Sequence, residues 1–593
     1  MIGRRNSHNS SRGRITVAGH DSIARPRSHQ AGSAQDVRTP SQRRIYLAAT
    51  LFAGCFALIG ARLVELAIVG GDGGDRIAAS DSVGPIHRPD IVDRNGEVMA
   101  TDIVTASLYA DGRAIVDPVE TARQLATALP DLDADEVAAK LETGRAFIWL
   151  KRDMTPKQQY AVHYLGLPGL GYRREQKRVY PNGHSSSHVL GMVDLDNRGT
   201  AGIERYIDKS LLLGRGDAGG ERARPVSLSI DMRVQFALRD ELVKATEEFK
   251  AKAAVGIIMD AHTGELMAMS SLPDFDPNEP MATNDDSRFN RATLGVYELG
   301  SIFKAVTLAA ALDSGKVRIE EKFDATQPIK MGRFTIHDFH AENRWLSVPE
   351  IFMVSSNVGT AKIALQLGTE PYRAYLGRFG LLTRPEIELP EAGAPLLPPR
   401  WGELSTITAS FGQGIAVTPM QVVSAMAMIV NGGTQVKASF LRQDAVRPGT
   451  RLISDRTSTE MRSLLRMVVS EGTGKKADVQ GYPVMGKTGT AEKAVNGGYA
   501  RHRLISSFLS AFPASDPRYV MLIMFDEPQG SKATYGYATA GWNAAPVTAR
   551  VVKRVAPLLG LKPEGMVFAK NERSPDGMVH EAKLVTFDPG SDH

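Results

Sequence analysis

Across 593 residues the chain has a single cysteine, Cys55. An intrachain disulfide is therefore excluded, and so is a metal site built on paired cysteines. No HExxH or comparable cluster of histidines and carboxylates occurs, which removes the common zinc-hydrolase arrangement. Charge is missing altogether from Ile45 to Ala61, IYLAATLFAGCFALIGA. Acidic residues are scarce ahead of that run: between Met1 and Arg44 nine arginines face only Asp21 and Asp36, a net +7 in a chain whose total is +5. The same tail lacks aromatics, so it has phosphate-seeking charge without the stacking groups that single-stranded nucleic acid rewards. A membrane surface is the better partner for it, and no nucleic-acid partner is expected.

The apolar character resumes at Leu63, Val64 and Leu66–Val69, broken only by Arg62 and Glu65. Residues 45–69 are therefore expected to form one transmembrane helix. A cleaved signal peptide fits less well, because the basic region is long and no small-x-small site follows. The positive-inside rule puts the basic tail (1–44) in the cytoplasm and the remainder of the chain outside it, as a single-pass membrane protein. Ala49, Ala53, Ala57 and Ala61 form a period-four stripe suited to close helix–helix packing.

The chain is too long for one core. A glycine-rich linker, Gly70–Asp75, leads into a mixed, polar region, 75–222, with helical stretches at Pro118–Ala128 and Asp133–Glu142 and a turn at Asp93-Arg-Asn-Gly96. Nothing there pairs a nucleophile with a base, so it reads as a structural or docking module. Gly214-Arg-Gly-Asp-Ala-Gly-Gly220 matches GxGxxG only formally, since neither a proper strand nor a helix flanks it; a boundary loop is the plain reading. From 223 to 560 the texture changes. Val226–Ile230, Ala254–Asp260, Glu265–Ser270, Ser507–Phe512 and Tyr519–Phe525 read as strands, and Val234–Phe249 and long intervening stretches read as helices. Strands at both ends with helices between them predict an α/β (α+β) fold, an antiparallel sheet flanked by helices. Residues 561–593 read as a tail.

Three short motifs carry the chemistry. Ser301-Ile-Phe-Lys304 opens a strongly helical run, so the serine lies at a helix N-terminus, whose dipole favours negative charge on its oxygen. A lysine at i+3 shares its face and, kept neutral by burial, can take its proton. Ser355-Ser-Asn357 lies in a polar turn between helices, placed to relay a proton and hold an amide, although helix capping alone would also explain either residue. Lys487-Thr-Gly-Thr490 reads as a strand with Lys487 and Gly489 on one face and Thr488 and Thr490 on the other. Gly489 there leaves a side-chain-free stretch for a substrate backbone, or marks a bulge. The segment from Gly481 to Thr488 also satisfies the P-loop expression, but no hydrophobic strand precedes it and no helix follows. SxxK, SxN 54 residues on and KTG 132 further on match jointly the signature of penicillin-binding proteins and class A β-lactamases.

The chain resembles a class B penicillin-binding protein well beyond these motifs. Ile91-Val-Asp-Arg-Asn-Gly96, Arg178-Val-Tyr-Pro181, His188-x-Leu-Gly191 and Gly199-x-x-Gly-Ile-Glu204 are similar to its pedestal motifs. Ser410-Phe-Gly-Gln-Gly414 with Val417-Thr-Pro419, and Gly541-Trp-Asn-Ala-Ala-Pro546, are similar to segments of its transpeptidase domain. The Tyr297-Glu-x-Gly-Ser301 context and the short pedestal motifs fit the division-specific subtype best, with the elongation-specific one next. Leu299 and Ile302 depart from the proline and threonine common there and are expected to line the approach to Ser301.

The resemblance implies cross-linking of peptidoglycan stem peptides, inhibition by β-lactams, and no metal or organic cofactor. It implies Ser301 as nucleophile and Lys304 as base, with Ser355 and Lys487 serving proton transfer and electrostatics. Asn357 would hold the donor amide, Thr488 and Thr490 the substrate carboxylate alongside Gly489, and the N–H groups of Ser301 and Thr490 the oxyanion. The implied partners are a polytopic glycan polymerase and other division proteins. A hydrolase (D,D-carboxypeptidase or β-lactamase) and a non-catalytic scaffold are the competing expectations.

Overall fold

The computed structural model describes residues 49–61, 88–212 and 224–565, apart from 283, 333, 444, 446–448 and 496–497. The basic tail, the ends of the 45–69 segment, the Gly70–Asp75 linker, the 214–220 glycine cluster and residues 566–593 lie outside the described part. The chain divides into one unit ending at Val83 and another beginning at Gly84. In the first, residues 49–61 are helical and expose Leu51, Phe52, Phe56, Leu58 and Ile59. No described helix is long and apolar enough to cross a membrane.

The second unit begins with a twisted sheet. β1 (Ile91–Val92) turns back into β2 (Val98–Ala110) because the Asp93 carboxylate accepts hydrogen bonds from Asn95 N and Glu97 N, and Gly96 takes φ +90°. β3 (Ile148–Met154) and β4 (Leu170–Val179) pair antiparallel with β2. β5 (Val226–Ser227) runs parallel beside β1 and leads out of this sheet. Helices α1 (Pro118–Ala128), α2 (Ala134–Glu142) and α3 (Pro156–His163) start at side-chain caps, Asp117, Asp133 and Thr155. They bury Leu125, Leu141 and Val162 against Leu108 and Leu150.

Two of the sequence motifs, Arg178–Pro181 and Gly199–Glu204, meet in a buried ionic cluster with Arg88 and Asp102. Glu204 accepts from Arg178 Nε at 2.7 Å and from Arg88 Nη2 at 2.7 Å, and Arg178 Nη1 also reaches Asp102 at 3.1 Å. The side chains of Arg178 and Glu204 are fully enclosed. Charges this deep persist only when each has a partner.

The second sheet has the order β8-β9-β10-β6-β7, antiparallel throughout: β6 (Ala253–Asp260), β7 (Leu266–Leu272), β8 (Met485–Val495), β9 (Gly498–Phe512) and β10 (Tyr519–Asp526). α4 (Met232–Glu248) and the C-terminal Ala544–Leu558 helix cover one face. The other face carries α5 (Phe303–Asp313), α8 (Pro419–Val430) and α9 (Asp455–Ser470). Both faces being covered explains why β6, β7 and β10 are apolar runs without alternation and are buried along their whole length.

Two sequence expectations change in extent. The strand expected over Val226–Ile230 stops at Ser227, and Leu228 continues only as a single bridge to Leu441. The strand expected at Ser507 begins at Gly498, because Gly498–Ala500 still pair with β8, and pairing resumes at Leu504 after an irregularity at residues 501–503, although this stretch lacks an apolar signal.

Candidate active site

Ser301 lies in a 3-10 turn, Gly300–Ile302, that runs directly into α5. That turn is wedged against its neighbours by missing side chains. A Cβ on Gly300, which has φ +57°, would lie 2.9 Å from Thr490 O, and one on Gly412 would lie 2.2 Å from Gly300 O. This gives the Ser410–Gly414 motif its purpose: it lets the backbone close on the nucleophile turn. Leu299 and Ile302 correct an expectation. Both are buried in the main core and do not line an approach to Ser301, because their apolar side chains turn inward from the turn.

The first turn of α5 sends Lys304 into the interior, where it is fully buried. Lys304 Nζ donates to Ser355 O and lies 3.0 Å from Ser355 Oγ. From the opposite side Lys487 on β8, equally buried, lies 3.0 Å from the same Oγ. Lys487 also donates to Thr488 O at 3.3 Å, and its Nζ sits 5.7 Å from the centre of the Phe352 ring. Three motifs, 186 residues apart from Ser301 to Lys487, thus meet at one hydroxyl. Two ammonium groups cannot share that oxygen without strong repulsion. Burial, and secondarily the charge of Lys487, drive the Lys304 pKa well below the ordinary lysine range, against a smaller opposing pull from Asp338. Burial lowers Lys487 to about 7. Of the two, Lys304 is the more strongly biased toward the neutral amine.

Ser355 is held in an unusual backbone state. α6 (Val348–Met353) ends at Val354, and Ser355 follows with φ +61°. Ser356 N then donates to Ile351 O at 2.9 Å, closing a Schellman-type cap in which Ser355 occupies the left-handed position glycine normally takes. Ser356 starts α7 (Asn357–Leu367), its Oγ accepting from Gly359 N at 2.9 Å. The capping role thus belongs to the middle residue of the motif, which leaves Ser355 and Asn357 available. Asn357 Nδ2 donates to His337 O at 3.0 Å.

Along β8 the expected alternation holds. Lys487 faces Ser355, while Thr488 Oγ1 lies 2.7 Å from Thr473 Oγ1 and Thr490 Oγ1 accepts from Ala540 N at 3.2 Å. Gly489 corrects its reading as open backbone: a Cβ there would meet Leu299 O at 2.6 Å, Ser507 Oγ at 2.8 Å and Ile302 at 2.9 Å. The glycine lets the strand close on the nucleophile turn. The P-loop look-alike is disposed of by the same strand, which carries Gly486 and Lys487 in mid-extension with no helix after them.

Two participants have no sequence signal. Thr473 precedes β8 in an isolated Gly-Thr-Gly, and Asp338 sits in a loop ahead of α6. Glu298, three residues before Ser301, is also tied down: it accepts from Gly414 N at 3.1 Å and from Tyr499 OH at 3.0 Å, and burial raises its pKa.

The penicillin-binding protein transpeptidase domain matches residues 254–553, and the penicillin-binding protein dimerisation domain matches 85–227. A Caulobacter vibrioides protein named "Probable peptidoglycan D,D-transpeptidase FtsI" is 40% identical over 535 residues, 88% of this chain and 89% of its own length. The Escherichia coli K12 protein named "Peptidoglycan D,D-transpeptidase FtsI" is 30% identical over 511 residues, 81% of this chain and 85% of its own. The fold is shared with a solved peptidoglycan synthetase from Bifidobacterium adolescentis, with a TM-score of 0.62 at 24% identity, covering 84% of this chain and 98% of the other. With a transpeptidase and a dimerisation domain both matched, and relatives aligned along most of its length, the chain belongs to the penicillin-binding protein family.

Proposed function

We propose that this chain is a peptidoglycan D,D-transpeptidase that cross-links stem peptides during cell division and is inhibited by β-lactams. The observation that carries the reading is the meeting of Lys304 and Lys487 at Ser355 Oγ, beside the helix start that bears Ser301. The neutral Lys304 amine takes the Ser301 proton as Oγ attacks the D-Ala–D-Ala carbonyl. Backbone N–H groups of Ser301 and Thr490 hold the oxyanion. As the tetrahedral adduct collapses, the proton passes through Ser355 to the departing D-alanine nitrogen, leaving an ester on Ser301. An amine of a neighbouring stem then attacks that ester, its proton passing to Lys304 and from there to Ser301 Oγ as the acyl C–O bond breaks, which restores both the serine and the neutral Lys304 amine. Lys487, retaining its proton, supplies positive charge to the substrate carboxylate, which Thr488 and Thr490 flank beside Gly489. Asn357 keeps a second N–H for the donor amide.

The similarity to the proteins named above supports the substrate, and the Tyr297–Ser301 context with the short pedestal motifs supports the division role. In this reading residues 75–222 are the pedestal and 223–560 the transpeptidase domain. Residues 45–69 anchor it in the inner membrane with the basic tail in the cytoplasm and the catalytic domain in the periplasm. A polytopic glycan polymerase is the partner for the Ala49–Ala61 stripe.

Incubation with a D-Ala–D-Ala peptide and an amine acceptor tests the reaction. The expected products are free D-alanine and an amine-linked peptide, formed faster as rising pH deprotonates Lys304 and slower once Lys487 loses its proton above about 7. Release of D-alanine with only water as acceptor, at every amine concentration, would make the protein a hydrolase.

A further inference from the structure

The loop that reaches α7 from outside the three motifs has a chemical logic of its own. It follows a short hairpin, Ile329–Met331 with Phe334–Ile336. Ile336 is buried with Ala361, Ile407 and Phe411, which pins the hairpin to α7 and to the neighbouring Glu403–Ser410 helix. Two residues later the Asp338 carboxylate arrives at the α7 N-terminus. Its Oδ1 accepts from Asn357 N at 2.5 Å and from Val358 N at 2.9 Å, and its Oδ2 accepts from Ser356 Oγ at 2.7 Å. The first turn of a helix has N–H groups without internal partners, and this carboxylate satisfies two of them from a distant segment. The neighbouring His337 O takes the Asn357 amide.

The consequence falls on Ser355. Its φ of +61° is costly for a residue with a Cβ, and such states persist only where the surroundings over-determine them. The α6 side of the turn is fixed by the Ser356 N to Ile351 O bond. Asp338 fixes the α7 side, through each of the three residues that follow Ser355. Building on the transpeptidase reading above, we propose that Asp338 is a positioning residue of the acyl-transfer centre. Its carboxylate locks the start of α7 and so keeps Ser355 in the left-handed state that sets its Oγ between Lys304 and Lys487. It touches no reacting atom; it acts through Ser356, Asn357 and Val358.

Geometry and charge are separable by substitution. Asn at 338 keeps an acceptor where Oδ1 stands and drops the charge; Glu keeps the charge and pushes the acceptor out of register; Ala removes both. The probe is a slowly reacting fluorescent penicillin on the full-length protein, with non-covalent affinity and acylation rate constant measured separately and melting temperature as control. Wild-type labelling at Ser301 is the prior check, because its absence would sink the transpeptidase reading itself and not this inference. D338A and D338E are expected to acylate roughly 10- to 100-fold more slowly with affinity within about threefold, the scale of an ångström-level misplacement. D338N is expected within about fivefold of wild type. If D338A does not fold, D338E decides. D338E at the wild-type rate, or D338N no faster than D338A where that variant folds, or D338N slower than D338E, would overturn the proposal.

Discussion

Ser355 shows how a single side chain can cost stability to serve chemistry. The Schellman turn after α6 asks for glycine, and the protein places serine there because its Oγ must lie between two lysines. Replacing Ser355 with glycine relieves the left-handed strain, worth about 1 kcal/mol. The expected outcome is a melting temperature at or slightly above wild type together with acylation reduced at least a hundredfold. A variant both destabilised and inactive would mean that the hydroxyl carries structure instead. The residues of the three motifs were readable in the sequence because such residue types seldom fall together at such spacings by chance. Asp338 and Thr473 were not: each is one polar residue in a loop, and its meaning arises only when chain segments 15 to 20 residues away fold back on it. The cap function read for Ser355 or Asn357 fell on Ser356, since sequence spacing cannot say which of three polar residues faces the helix.

At the scale of elements, the site is an edge strand pressed on a helix start. β8 lies at the open edge of the sheet, and glycines at 300 and 489 remove the side chains that would hold it off, while Gly412 lets the 410–414 segment close on the same turn. Gly489→Ala tests this contact. The new Cβ would meet a carbonyl oxygen, which cannot rotate away, so the strand must retreat from Ser301. A destabilisation of about 1–3 kcal/mol is expected, with acylation lowered roughly a hundredfold. Unchanged acylation kinetics would show that β8 does not position the reacting groups. Sequence reasoning found these elements where they are long and periodic or uniformly apolar. It missed the first half of β9, where pairing with β8 is interrupted at the polar residues 501–503, and the small paired strands between residues 322 and 347, which at three residues each are too short for any period to register.

At the scale of the whole molecule, Arg178 and Glu204, from separate sequence motifs, come together in a buried ion cluster. Arg88, Arg178 and Glu204 are buried together; Glu204 pairs with both guanidinium groups, while Asp208 also pairs with Arg88 and Asp102 with Arg178. Glu204→Ala leaves both cations with less compensation, so urea or thermal unfolding should show a loss of roughly 3–5 kcal/mol, while the folded fraction acylates at near the wild-type rate. Loss of acylation without loss of stability would instead tie the cluster to catalysis.

The whole mechanism rests on Ser301 being the acylated nucleophile, and intact-mass analysis after exposure to one β-lactam is its sharpest test. One adduct per chain is expected, mapping by peptide fragmentation to Ser301 and absent in Ser301→Ala. An adduct on another residue, or one that survives in Ser301→Ala, would contradict it.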